Sequence, residues 1–130
     1  LMTAAMKPSS EILREVLRAG GDVHARDKEG LTALMWAAGK GHAAHTRDLA
    51  AAGADVNARA TRGRTALHLA SIGGHVEAAS ALLSLDAEVN AQDALDSTPL
   101  HWACDKGHAS VVRLLLASGA RWDVVDMDGD

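Results

Sequence analysis

The sequence predicts an all-α solenoid, a stack of short helix-turn-helix units joined by β-turn or hairpin loops, and three observations predict it. One phrase recurs at a stride of 33 residues, as Gly30-Leu-Thr-Ala-Leu-Met-Trp-Ala-Ala38, Gly63-Arg-Thr-Ala-Leu-His-Leu-Ala-Ser71 and Asp96-Ser-Thr-Pro-Leu-His-Trp-Ala-Cys104. Columns then hold across the period: Thr32, Thr65 and Thr98; Leu34, Leu67 and Leu100; Ala37, Ala70 and Ala103; Gly41, Gly74 and Gly107; His42, His75 and His108. A fixed period of this size is the signature of stacked repeats. Composition agrees, since 48% of the residues are apolar while Phe and Tyr are absent, which suits thin helices rich in Ala and Leu.

Each element of one period has a local cause. Residues 27–33 form a turn punctuated by Asp27 and Gly30, and Thr32 stands where a helix N-cap is wanted, its hydroxyl able to accept an orphan backbone N–H. A short helix follows to about Lys40, and Gly41 ends it by supplying a left-handed residue. A second helix runs from about Ala43 to Ala52 and stops at Gly53. The apolar faces of such a unit are buried only by its neighbours in the stack, so single units should not fold alone.

The register divides residues 1–130 into one domain: a repeat lacking its start at 1–26, full repeats at 27–59, 60–92 and 93–125, and the opening of a further repeat at 126–130. Leu1-Met-Thr-Ala-Ala5 falls one period before Leu34-Met-Trp-Ala-Ala38, so the chain is expected to begin inside a first helix, as a piece of a longer array. Ser10 to Arg18 carries Glu11, Arg14, Glu15 and Arg18 and reads as a partial cap of the kind terminal repeats need. Val111, Val112, Leu114, Leu115 and Leu116 predict an under-capped face at the other end, with self-association through it. A sedimentation mass that rises with concentration is the expected sign.

The intact Thr98-Pro-Leu-His-Trp-Ala103, together with Gly53-Ala-Asp-Val-Asn-Ala58, Asp86-Ala-Glu-Val-Asn-Ala91 and Gly119-Ala-Arg-Trp-Asp-Val124, resembles the ankyrin-repeat family over essentially the whole chain. The resemblance implies a non-catalytic protein-protein interaction module without cofactors, which binds a partner protein or peptide on a concave face of turn tips and first helices. It also implies that the histidine of Thr-x-x-His braces its own turn. The chain departs from the family pattern where Thr-Ala-Leu twice replaces Thr-Pro-Leu and where Asp86 and Asp96 replace glycines. Those departures favour a natural array over an engineered binder. A targeting or scaffold segment of a larger enzyme, channel or ubiquitin-ligase subunit is the other reading.

Several functional classes are disfavoured. A formal charge of −4 offers no field for nucleic acid, whose binding rests on Lys and Arg neutralising phosphates. No apolar run approaches the roughly 18 residues that a membrane span needs, and no secretory leader is evident. The lone Cys104 cannot form an internal disulfide, which fits an intracellular protein, cytoplasmic or nuclear. Cys104 shares a column with Ala38 and Ser71 and is expected to fill a small buried slot.

The phasing also deflates apparent chemistry. The seven histidines fall largely into two columns, His42, His75, His108 and His68, His101, whose members lie about 10 Å apart by helix spacing. That is too far to share a zinc ion at bonds of roughly 2 Å. Asp126-Met-Asp-Gly-Asp130 resembles the opening of a calcium loop but is simply the next turn arriving on schedule. Trp36 and Trp102 share a column with Leu69 and are assigned to packing; Trp122 is the remaining tryptophan. Asn57 and Asn90 match the pattern of asparagine hydroxylation in animal ankyrin arrays, although an asparagine that braces its own loop needs no such enzyme. His45-Thr46 stands where other second helices carry Ile12-Leu13, Ala78-Ala79 and Val111-Val112, so repeat 27–59 is expected to be the weakest.

Function must reside in the variable positions. The turn tips are Lys28, Glu29 and Leu31, then Thr61, Arg62 and Arg64, then Ala94, Leu95 and Ser97. The exposed ends of the first helices add Lys40, Ile72, Asp105 and Lys106. Arg59, Arg62 and Arg64 cluster near Lys40 around the central turn, whereas Asp93, Asp96 and Asp105 follow in the next. The expected partner is a segment with an acidic end over the arginines and apolar side chains between the charges.

Overall fold

Thr32, Thr65 and Thr98 each hold extended backbone just ahead of a helix, and each hydroxyl accepts the backbone N–H three residues on. In the computed structural model, which describes residues 26–121, these caps open the first helix of three successive pairs. The pairs are α1 (Ala33–Gly39) and α2 (Ala43–Ala51), α3 (Ala66–Gly73) and α4 (Val76–Ser84), and α5 (Pro99–Asp105) and α6 (Ala109–Ala117). The expectations for a helix at the chain start, the polar cap at 10–18, Trp122 and the tail at 126–130 lie outside the described residues.

Gly41, Gly74 and Gly107 follow the first helices with φ of 83°, 74° and 74°, and the second helix begins two residues later in each case. Asp86 and Asp96 keep the left-handed conformation of the glycines in their columns, with φ of 67° and 59°. Proline at the first position of α5 costs no hydrogen bond, because that N–H would lack a helical partner anyway. The helices form two layers, α1, α3 and α5 packed in sequence on one side and α2, α4 and α6 on the other. Between them lie Leu34, Met35, Leu67, Leu82, Leu100, Val111 and Leu115, with the small residues Ala38, Ala70, Ala78, Ala79 and Ala103 allowing close helix approach.

Histidines join neighbouring pairs. His108 Nε2 lies 3.0 Å from the Ile72 carbonyl oxygen of the preceding pair, and its ring covers Gly74 so closely that a Cβ there would lie 2.6 Å from Nδ1. His75 covers Gly41 in the same way. His68 braces its own turn and the next: the Thr65 N–H donates to Nδ1 at 3.0 Å, and Nε2 meets the Ser97 carbonyl at 2.9 Å. This network assigns a neutral ring with its proton on Nε2.

Burial therefore holds the His68 pKa below its ordinary 6.5, with the Ser97 carbonyl opposing. A second proton would also have to sit on Nδ1, facing the Thr65 N–H. Because the unfolded chain takes up this proton first, the His68 contribution to stability is complete above pH 6.5 and declines as pH falls below it. Nitrogen NMR of the His68 ring should show the Nε2–H tautomer and a titration midpoint below 6.5. A midpoint at or above that value would remove the claim.

The second helices are unequally packed. α4 buries Ala78, Ala79, Ala81 and Leu82, while α2 buries only Thr46 and Leu49. The Thr46 hydroxyl is satisfied by donating to the His42 carbonyl at 2.9 Å, and half-buried His45 meets the His42 ring edge-on at 5.2 Å. The threonine thus avoids an unpaired hydroxyl, but His45 and Thr46 supply polar groups where α4 has Ala78 and Ala79 and α6 has Val111 and Val112. Hydrogen exchange should find α2 opening before α4 and α6; better protection of α2 than of α4 would contradict this.

One slot differs from expectation. Ala38 and Ser71 are fully buried, but Cys104 is exposed. The first helix of the following pair covers Ala38 and Ser71, whereas among the described residues no helix follows α5 in its layer. The column fixes where the side chain points, and the neighbouring unit fixes its burial. In α6, Leu116 is 46% exposed, whereas Val111 and Leu115 are buried.

Candidate partner-binding surface

The turns ahead of α1, α3 and α5 are tied together by their main chains. Thr61 donates to the Glu29 carbonyl from both N–H (3.2 Å) and hydroxyl (2.7 Å), and the Ala94 N–H donates to the Arg62 carbonyl at 2.9 Å. This linkage fixes the turn tips as one continuous edge beside the first-helix layer.

Within the outer two turns an aspartate organises the loop and holds a tryptophan. Asp27 Oδ1 accepts the Glu29 and Leu31 N–H groups at 2.8 and 2.9 Å, and Oδ2 accepts Trp36 Nε1–H at 2.9 Å. Asp93 repeats the arrangement, accepting Leu95 N–H at 2.9 Å, Ser97 N–H at 3.0 Å and Trp102 Nε1–H at 2.8 Å. The Leu31 amide, then the Trp36 indole, hold the Asp27 carboxyl below its ordinary pKa. For Asp93, burial pushes the pKa up, but the Trp102 indole and the Ser97 and Leu95 amides outweigh it and the net direction is down. Both aspartates are therefore anionic at neutral pH.

Each indole also faces a cation. Lys40 Nζ lies 5.3 Å from the Trp36 ring centre, and Trp102 is flanked by Arg64 at 4.6 Å and Lys106 at 5.9 Å. Trp36 is 48% exposed and Trp102 half-buried, so this column forms part of the surface rather than the core to which the sequence assigns it. An indole edge bound to a carboxylate and a ring face under a cation satisfy both polar features of tryptophan without burying it.

The central turn lacks both partners, with Ala60 in the aspartate column and Leu69 in the tryptophan column. A depression of about 390 Å³ lies there, floored by Leu31, Ala60 and Leu69. Its walls are Lys28, Glu29, Thr61, Arg62 and Arg64. Neither the Lys28 nor the Arg62 side chain has an ion-pair partner among the described residues.

Of the three arginines predicted to act together, Arg62 and Arg64 line the depression and Arg59 does not. Arg64 stacks on Trp102 with Nε 3.7 Å from Asp93 Oδ2, and that Nε is buried without a hydrogen bond. Arg59 turns to the loops instead, donating to the Gly63 carbonyl at 3.0 Å and the Gln92 carbonyl at 2.6 Å, with Glu88 3.8 Å away. Of the other predicted residues, Lys40 and Lys106 stand over tryptophans, Ala94 and Asp105 are exposed, and Leu95 is 51% exposed. Ile72 and Ser97 are half-buried, their carbonyls engaged by His108 and His68. Asp27, Ala60, Leu69 and Trp36 also shape the surface, although no variable turn-tip position marks them; two columns changing together in the central unit are their signal in the sequence.

The far loops carry a separate ladder. Asn57 Oδ1 accepts the Glu88 N–H at 2.7 Å and its amide reaches the Asp86 carbonyl at 3.4 Å. Asn90 contacts Arg121 N–H and the Gly119 carbonyl in the same way, at 2.9 and 3.4 Å. Each asparagine thus braces the following loop, not its own. Among the described residues, no group of three or more His, Cys, Asp or Glu is placed to hold a metal ion, and no helix is long and apolar enough to cross a membrane. The family model for ankyrin repeats in three copies matches residues 1–93 and 49–127. No curated protein matches the chain.

Proposed function

Because the chain belongs to the ankyrin-repeat family, whose repeats generally serve protein-protein interaction, we propose that it is a non-catalytic module that seats a partner protein on the face formed by the turn tips and first helices. The observation that carries this reading is the depression over the central unit, where an apolar floor is bordered by Lys28 and Arg62, cations without an ion-pair partner among the described residues. Apolar contact supplies affinity at such a place, and the surrounding charges select the partner and orient its approach. The partner segment is therefore apolar at its centre and acidic beside it. The lone thiol suits a reducing compartment, so the partner is sought inside the cell.

The test reverses two charges that do not brace the fold. Affinity capture from native lysate with the unaltered chain and with a Lys28→Glu, Arg62→Glu variant, followed by titration of the dominant bound protein, should show a loss of at least about tenfold. Arg64 is left unchanged, because its guanidinium is committed to Trp102 and Asp93. Equal affinity for both forms would remove this face as the binding surface.

A further inference from the structure

We propose that the central depression receives an aromatic side chain from an acidic partner segment, which takes the place of the Asp–Trp pair that the central unit lacks. The inference rests on the preceding assignment of this face to partner binding and specifies what the face selects.

The molecule shows twice how its frame accommodates an indole. In the first and third turns the ring edge donates to a carboxylate, Trp36 to Asp27 and Trp102 to Asp93, and a basic side chain lies against the ring. Ala60 and Leu69 remove carboxylate and indole together, and Gly73 and Leu31 stand where Lys40, Lys106 and Arg64 serve the outer indoles; the cations on this rim are instead Lys28, Arg62 and Arg64, from other positions of the turns. The space left, about 390 Å³, is at the low end of the roughly 300–1,000 Å³ typical of small-ligand sites and suits one large side chain.

The chemistry of the walls specifies the occupant further. Leu31, Ala60 and Leu69 offer apolar contact to a ring. Lys28 and Arg62 favour a carboxylate beside it and can approach its π-face. Glu29 lies on the same wall and disfavours a basic segment. An acidic peptide with a central tryptophan therefore satisfies floor and rim together; an aliphatic residue fills the floor but gains nothing from the cations over its face.

The probe is acetyl-Glu-Trp-Asp-Glu-amide, compared with acetyl-Glu-Ala-Asp-Glu-amide and acetyl-Lys-Trp-Lys-Lys-amide, with binding followed through the methyl NMR signals of Leu31 and Leu69. The first peptide should shift both residues and bind at least tenfold more tightly than the other two. The variant Ala60→Asp, Leu69→Trp installs in the central unit the pair that its neighbours already carry, so the fold should persist and the affinity should fall at least tenfold. Equal binding of the alanine peptide, unchanged affinity in the filled variant, or no shift of Leu69 at millimolar peptide would overturn the proposal. Should the filled variant not fold, Leu69→Ala, which shortens the floor, replaces it and should weaken the tryptophan peptide selectively; equal weakening of the alanine peptide would overturn the proposal.

The captured protein separates the two levels of inference. A partner lost with Lys28→Glu, Arg62→Glu but retained fully by the filled variant would overturn the aromatic occupant and leave the face assignment standing. A partner indifferent to both variants would overturn both.

Discussion

Gly74→Ala should lower the stability of the folded chain by about 3 kcal/mol, combining roughly 1 kcal/mol for an L-residue at positive φ with 1–3 kcal/mol of overpacking. The backbone there has φ of 74°, and the added methyl would lie 2.6 Å from His108 Nδ1. His108 cannot simply turn aside, because its Nε2 holds the Ile72 carbonyl that links the two helix pairs. Gly107 is the internal control, with the same φ and nothing within 4 Å of an added Cβ. Gly107→Ala should therefore show only the backbone cost, and urea midpoints for the two variants measure the difference. If the variants lose equal stability, the close approach of His108 contributes nothing.

Asp93→Ala should be comparably damaging, at about 2–4 kcal/mol, by removing the acceptor for three part-buried donors. Asp93 is only 5% exposed, and its carboxylate accepts three hydrogen bonds and lies beside the Arg64 guanidinium. Its loss frees the Leu95–Ser97 turn, detaches the Trp102 indole and leaves Arg64 without its counter-charge. Asp27→Ala removes the matching bonds from an exposed turn and should do much less. Because the folded pKa of Asp93 lies below the ordinary 3.8, its contribution is fully present above pH 3.8 and disappears as pH falls through the folded value. The acid limb of unfolding below pH 3.8 should consequently be shallower in Asp93→Ala than in the unaltered chain. Equal steepness would show that another group governs it.

The helices were legible because their signals are local. A threonine that caps its own helix and a glycine that ends it act within one unit, so Thr65 to Gly74 can be read without knowing what lies beside it. Surface roles were less legible because they depend on neighbours. Arg59 and Arg64 share a charge and a short stretch of chain, yet one serves the loop carbonyls and the other stacks on the indole of the next unit. Cys104 shares a column with buried residues but lies where no described helix covers it. Trp36 stands among apolar core residues in sequence, and the Asp27 carboxylate at its nitrogen and Lys40 over its ring explain its place at the surface. The depression was written in the paired change to Ala60 and Leu69, which becomes meaningful once Asp27–Trp36 and Asp93–Trp102 are seen to touch.

The loop ladder governs how such a chain changes over generations. Arg59 reaches Gln92 and Asn57 reaches Asp86 and Glu88, so each loop is completed by residues 29 to 33 positions further on. Duplication or loss of one whole repeat by recombination recreates these meetings, because the next loop presents the same carbonyls and amides. A one-residue insertion inside a repeat breaks them on both sides. The array can therefore lengthen or shorten in whole repeats with its frame intact, while single substitutions at positions such as 60 and 69 alter what one repeat recognises.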